Sequence, residues 1–164
     1  MEIGMAKLPL QSECLKLFGN PSSKGWQSKN TVRVPVPWAM SMGNIPIKSI
    51  VINKVASDSL ARVLTKIWDR CDHTQSKVHA AGCDCFSGSF AVRLIRGGKT
   101  PSMHSYALAI DIDAPHNPLG APASQTNFKS NSLVVQAFKE EGWIWGGDWK
   151  GRRDAMHFQY ATVG

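Results

Sequence analysis

The sequence predicts an α+β fold in which a small antiparallel sheet of about four strands is flanked by helices. Four short segments read as strands, at residues 90–95, 107–113, 143–145 and 156–161. Two segments carry apolar residues at helical spacing, near 57–70 and 132–141. Strands and helices do not follow one another in strict βαβ order, which favours an antiparallel sheet over a parallel one.

Taken in chain order, the first 44 residues read as a loop-rich segment packed on the rest. Pro21, Pro35, Pro37 and Pro46, with several Gly and Ser, mark residues 19–47 as irregular. From Ser57 the pattern changes. Ser57 or Asp58 is placed to cap a helix running to about Arg70, with Leu60, Val63, Leu64, Ile67 and Trp68 on one face. The run 90–95 is β-rich and stops at Gly97-Gly98. Residues 107–113 alternate, with Leu108, Ile110 and Ile112 on one side and Ala109, Asp111 and Asp113 on the other. The second helix has Leu133, Val134, Ala137 and Phe138 as its buried side and Gly142 as its stop. Residues 143–145 end at Gly146-Gly147. In 156–161, Met156, Phe158 and Tyr160 oppose His157, Gln159 and Ala161.

Length and composition narrow the class. The chain has 164 residues, which fits one domain spanning 1–164 with no separate binding module. Hydrophobic residues make up 43% and charged residues 19%, a globular balance that excludes a disordered chain. Nineteen Lys and Arg against twelve Asp and Glu give a net charge of +7, an attraction for polyanions of any kind. The basic residues are scattered, so no specific nucleic-acid site is expected. No run approaches the roughly 18 apolar residues of a membrane span. The start has no basic stretch followed by an apolar core, so synthesis and folding in the cytosol are expected.

Cys14, Cys71, Cys83 and Cys85 are expected to be reduced in that compartment. The last three, with His73 and His79, form the string C-x-H-x5-H-x3-C-x-C. That spacing contains neither a C-x-x-C knuckle nor an H-x3-5-H pair, so ordinary thiols are the better reading than a structural zinc.

Two strands share a property that points to chemistry. Each has one apolar face and a possible metal ligand on the other, Asp111 in one and His157 in the second. His104 lies seven residues before Asp111 in the stretch leading into the strand. Two imidazoles, a carboxylate and an open fourth position form a recognised catalytic zinc arrangement. Asp154, placed in the turn before His157, is within reach of a water at such a centre as a general base.

These residues carry a resemblance. The segment Ser102-Met103-His104-Ser105-Tyr106-Ala107-Leu108-Ala109-Ile110-Asp111 resembles the S-x-H-x-x-G-x-A-x-D signature of zinc D-alanyl-D-alanine carboxypeptidases and L-alanyl-D-glutamate endopeptidases. Asp154-Ala155-Met156-His157-Phe158 resembles the family's closing acidic-x-x-His motif, in the form of its phage-endolysin branch. Gly142 to Trp149, with three tryptophans, is also similar to that branch. The resemblance spans about residues 45–162 and implies the hedgehog/DD-peptidase-like fold. It implies one Zn2+ held by His104, Asp111 and His157, with Asp154 as the catalytic base. Arg93 is similar in place to the arginine that binds substrate and offsets charge on the carbonyl oxygen, with Arg96 as its rival. Ser102 matches the signature serine and is expected to touch substrate. Ala107 departs from the usual Gly, which matters only if that position needs a positive φ. Ala155 departs from the common Pro.

Plainer roles compete for each residue. His73, His79 and His116 are expected to be ordinary core or surface histidines. Asp113 shares a face with Asp111 and is the register alternative for the ligand. Asp154 has Arg152 and Arg153 as possible surface partners, and Arg93 can be a solvated strand residue. Trp143, Trp145 and Trp149 are expected to pack core and rim, with room for one to line the cleft.

The resemblance implies a peptidoglycan stem-peptide hydrolase of the L-alanyl-D-glutamate endolysin type. It would be held in the host cytoplasm until lysis and would act as a monomer on an anionic wall. A D-alanyl-D-alanine carboxypeptidase is the alternative within the enzymes. A basic zinc-binding interaction protein without catalysis is the alternative outside them.

Overall fold

The computed structural model describes residues 7–163. Of the N-terminal segment expected at 1–44, residues 1–6 lie outside that range. Short helices α1 (Cys14–Phe18) and α2 (Trp26–Asn30) lead into a hairpin of β1 (Thr31–Met42) and β2 (Ile45–Asn53). Helix α3 (Ser57–Arg70) and α4 (Gln75–Ala80) follow, then β3 (Phe86–Gly88) and β4 (Ala109–Ile112). Helix α5 (Leu133–Glu140), β5 (Ile144–Trp145) and β6 (His157–Gln159) complete the chain. The four short strands form one antiparallel sheet in the order β3-β4-β6-β5. The predicted α+β class and four-stranded sheet are what the structure shows.

The hairpin corrects the expectation of irregular structure through 19–47. Val34, Val36, Trp38 and Met40 alternate along β1 and turn toward the core, a period-2 pattern that the prolines interrupt. Pairing runs from Thr31↔Asn53 to Pro35↔Ser49, then the register shifts before Met40↔Ile47. That irregularity absorbs Pro35 and Pro37. A two-stranded ribbon also leaves each strand an open edge, where a missing N–H breaks no ladder bond.

The second correction concerns 90–95, which forms no strand of the sheet. The pairing strand is β3, four residues earlier. Residues 90–95 are extended but bond to a turn and a loop: Ala91 N donates to His104 O at 3.1 Å and Ile95 N to Thr100 O at 2.8 Å. Val92, Leu94 and Ile95 are exposed, so apolar composition there reflects no buried strand face.

Both helices are where their periodicity places them, and α3 ends at Arg70. Its entry differs, since Ser57 and Asp58 do not cap it. The chain reaches α3 through a 3-10 turn, Lys54–Ala56, capped by the Asn53 side chain, which accepts from Val55 N at 3.1 Å. Leu60, Val63, Leu64 and Ile67 on α3 and Val134, Val135, Ala137 and Phe138 on α5 join one continuous core. Phe138 stacks on Phe158 of β6 with centroids 4.2 Å apart. Burying a side chain of that size stabilises the fold by roughly 1.5–3 kcal/mol. The apolar face of β6 is thereby locked down, and its other face is left to the site.

Candidate metal centre and cleft

The antiparallel register sets Asp111 of β4 directly opposite His157 of β6. Cross-strand partners share a face at close approach, and here His157 Nδ1 stands 3.1 Å from Asp111 Oδ1. His104 reaches the same point from a 3-10 turn, Met103–Tyr106, separated from β4 by Ala107 and Leu108. Ser102 caps this turn, its Oγ accepting from His104 N at 3.2 Å. Asn53, at the end of the hairpin, grips the turn from behind. Its N donates to Ala107 O at 2.8 Å and its Nδ2 to Tyr106 O at 3.1 Å. His104 Nε2 then lies 3.2 Å from Asp111 Oδ2.

Ala107 closes this turn at φ +53°. The position where the resembling family carries Gly therefore does need the left-handed conformation, and here an alanine is held there.

The donor set fits a cation. His104 Nδ1 is 2.7 Å from the carbonyl oxygen of Ser89. A carbonyl only accepts, so Nδ1 carries the proton and Nε2 presents a lone pair to the site. That buried Nε2 has no hydrogen-bond partner, although it faces a carboxylate. Two lone pairs facing each other in a dry pocket repel unless a positive charge lies between them. Ligand atoms of His104, Asp111 and His157 all fall within 4.8 Å of one another, the one such group among the described residues. Ligands about 2.0 Å from a tetrahedral zinc stand about 3.3 Å from each other, close to the 3.1 and 3.2 Å separations here.

Without a metal, protons fill the same need. Burial alone would raise the Asp111 pKa, but its contacts with His104 and His157 outweigh burial and hold it well below the carboxylate range. Burial would lower His157, and the Asp111 contact reverses that, leaving the imidazole more basic than usual.

Asp154 sits in the turn entering β6. Burial raises its pKa first, Asp111 raises it further, and His157 and Arg93 pull it back in part. Its Oδ1 is buried with no partner, so it does not pair with Arg152 or Arg153. Arg153 donates to Gly147 O, Ala121 O and Thr126 Oγ1 instead. Asp154 N donates to Gly146 O at 2.9 Å, and His157 N to Asp154 O at 3.1 Å.

These side chains line a cleft of about 560 Å3. A larger groove of about 790 Å3 lies beside the hairpin near Trp26 and Phe90, but none of the ligand residues reaches it. Arg93, Arg96 and Arg152 all line the cleft. Arg93 has the better-held backbone: its N donates to Ser105 Oγ at 2.9 Å, and its carbonyl accepts from Ser102 N and Ser105 Oγ, while its Nη1 donates to Leu94 O at 3.4 Å. Arg96 is exposed on the Gly97-Gly98 loop, and its carbonyl accepts from Arg152 Nη1 at 3.1 Å. Of the tryptophans, Trp143 and Trp145 are buried, while Trp149 lines the cleft, 5.2 Å from the His157 ring.

Residues 96–160 match the family model described as D-alanyl-D-alanine carboxypeptidase. The matched stretch, less than half of the chain, contains His104, Asp111, Asp154 and His157. Arg93 and the hairpin lie outside it.

The residues given plainer roles keep them. His73 pairs with Asp69, His79 with Asp84 and His116 with Asp113, each at 2.7 Å and each with an exposed imidazole. Asp113, at φ +52°, has left the strand and points to His116 rather than the metal centre. All four cysteines are free, and burial pushes the Cys14 thiol up to about 11, out of the reactive range. The sequence pattern assigns no site role to Gly146 or to Gln11, Arg152 and Gln159, the last three of which line the cleft. Gln159 was visible in principle, since strand alternation puts it on the His157 face.

Proposed function

We propose that the chain is a zinc-dependent hydrolase of peptide bonds in bacterial peptidoglycan stem peptides, of the L-alanyl-D-glutamate endolysin type. The observation that carries the hydrolase reading is the half-buried Asp154, whose buried Oδ1 has no hydrogen-bond partner, in the same cleft as the His104–Asp111–His157 cluster.

His104, Asp111 and His157 would hold the ion. A zinc ion bound there supplies Lewis acidity, polarising a peptide carbonyl and lowering the pKa of a water to about 7. Asp154 takes a proton from the attacking water at Oδ1 as the new C–O bond forms. It returns that proton to the departing amine nitrogen as the C–N bond breaks. Burial raises its pKa, which suits a group that must both accept and release a proton near neutrality. Arg93, whose backbone is held by Ser102 and Ser105 and which lines the cleft, would stabilise charge on the carbonyl oxygen. Three arginines in the cleft favour a substrate with free carboxylates, as stem peptides have.

The similarity of residues 96–160 to D-alanyl-D-alanine carboxypeptidases favours a second reading, a carboxypeptidase releasing terminal D-alanine. Digestion of purified peptidoglycan followed by mass spectrometry separates the two. Stems split between L-Ala and D-Glu support the endopeptidase, and free D-Ala supports the carboxypeptidase. Zinc-loaded protein that yields neither product would leave a non-catalytic zinc protein as the reading.

A further inference from the structure

Gln159 lies two residues after His157 on the same face of β6 and is 1% exposed. Its Oε1 is 2.9 Å from His157 Nε2. Its Nε2 is 2.9 Å from Ala161 O and 2.6 Å from Gln11 Oε1. The orientation of this amide follows from its neighbours. A backbone carbonyl can only accept, so the NH2 end of Gln159 must face Ala161, and the oxygen end must face His157. His157 Nε2 therefore carries a proton, and its lone pair sits on Nδ1, aimed at Asp111.

We propose that Gln159 is the positioning residue of the metal centre, selecting the Nε2–H tautomer of His157 that leaves Nδ1 free for the ion, and that Gln11 holds Gln159 in place from the N-terminal segment. The inference rests on the reading of His104, Asp111 and His157 as the metal ligands. His104 has the equivalent device in the Ser89 carbonyl, so each imidazole has one nitrogen occupied by an acceptor and the other free for the ion. Such partners of a ligating imidazole fix ring orientation and raise its basicity, and losing one typically weakens metal binding by about 10–100-fold.

Gln11 is not a chance neighbour. Its own N donates to Thr162 O at 2.9 Å, Thr162 N donates to Pro9 O at 2.9 Å, and Leu10 and Thr162 form a parallel bridge. The segment before α1 thus runs beside the end of β6 and closes one side of the cleft. A region that sequence analysis treats as packing is, on this inference, part of the site.

Zinc affinity measured by chelator competition, with no substrate present, tests this. Gln159→Met fills similar space but accepts no N–H, and is expected to bind zinc about 10–100-fold more weakly. Gln159→Glu keeps the acceptor toward His157, and Gln11 can turn its own amide to donate to it, but it loses the donor to Ala161 O. That variant is expected to bind zinc more weakly than the parent and clearly more tightly than Gln159→Met. Gln11→Met, which leaves His157 and Gln159 intact, is expected to lose about threefold to tenfold, the worth of one hydrogen bond. It carries the test alone if Gln159→Met does not fold. Parent-like affinity in Gln159→Met, equal weakening in Gln159→Glu, or an unchanged Gln11→Met would overturn the proposal. A parent protein that binds no zinc would reject the metal centre itself, an outcome separate from these.

Discussion

Gly146 and Asp154 approach so closely that a methyl group on Gly146 would lie 2.4 Å from the Asp154 carbonyl oxygen and 3.1 Å from its Cβ. The glycine is needed here for space rather than for backbone freedom. It lets the turn before β6 lie flat against the end of β5, and that contact sets where the buried carboxylate points. Gly146→Ala is expected to keep its zinc and lower kcat/KM about 100-fold, the scale of an ångström-size misplacement of a reacting group. Metal analysis beside turnover on purified peptidoglycan checks this, and full activity would show that Asp154 tolerates displacement.

Asp154→Asn removes the proton acceptor while keeping shape. Activity should fall about 100-fold to 10,000-fold with zinc content unchanged. The same change should stabilise the metal-free protein at neutral pH. The folded state raises the Asp154 pKa, mainly by burial, so ionising it opposes folding. Below the unfolded value of 3.8 both states are protonated and the penalty is absent. The stability gained by Asp154→Asn should therefore appear as pH rises from about 4. Thermal melts of both proteins across pH 3–8 read this directly. A gain that is equally large at pH 3 would point to packing instead.

The metal-free protein should have its own pH optimum of stability. Asp111 is held below the usual carboxylate range, so its contribution is present above the unfolded value of 3.8 and lost as pH falls further. His157 is raised above 6.5, so its contribution is full below 6.5 and lost as pH rises through its folded value. Chelated protein is expected to melt highest between about pH 4 and 6.5. Zinc at 100 times its dissociation constant should add about 2.7 kcal/mol and move the optimum toward neutral pH, where the imidazoles are free to bind. A melting temperature indifferent to zinc at pH 7.5 would contradict this.

Ala107 and Ala109 are two buried alanines that should respond differently to glycine. In β4, Ala109→Gly loses a buried methyl worth about 0.8 kcal/mol and frees the unfolded chain, a further 0.5–1 kcal/mol or so. At Ala107 the same losses are offset by relief of a left-handed residue, roughly 1–2 kcal/mol. Denaturant titration should place Ala107→Gly near zero and Ala109→Gly about 1–2 kcal/mol down.

Much of the site was legible because its ligands sit in short, strongly patterned segments. Alternation put Asp111 and His157 on the faces opposite Ile110 and Phe158, and the register joins them. Asp154 had to lie in a turn, and it does. What escaped notice is set by contacts distant in sequence. The hairpin was hidden because prolines conceal the alternation of Val34, Val36, Trp38 and Met40. Residues 90–95 have strand composition, but their partners are the His104 turn and the Thr100 loop rather than a strand. Gln11 meets Gln159 across 148 positions, and no local pattern encodes that. Gly146 read as a turn residue, although its role is the gap it leaves for Asp154.

If His104, Asp111 and His157 together hold one ion, calorimetric titration of zinc into chelated protein will show it. One equivalent should bind per chain, and His104→Ala, Asp111→Ala and His157→Ala should each abolish that binding while His116→Ala leaves it intact. No heat of binding in the parent, or uptake that survives loss of His157, would show that these three side chains do not form a metal site.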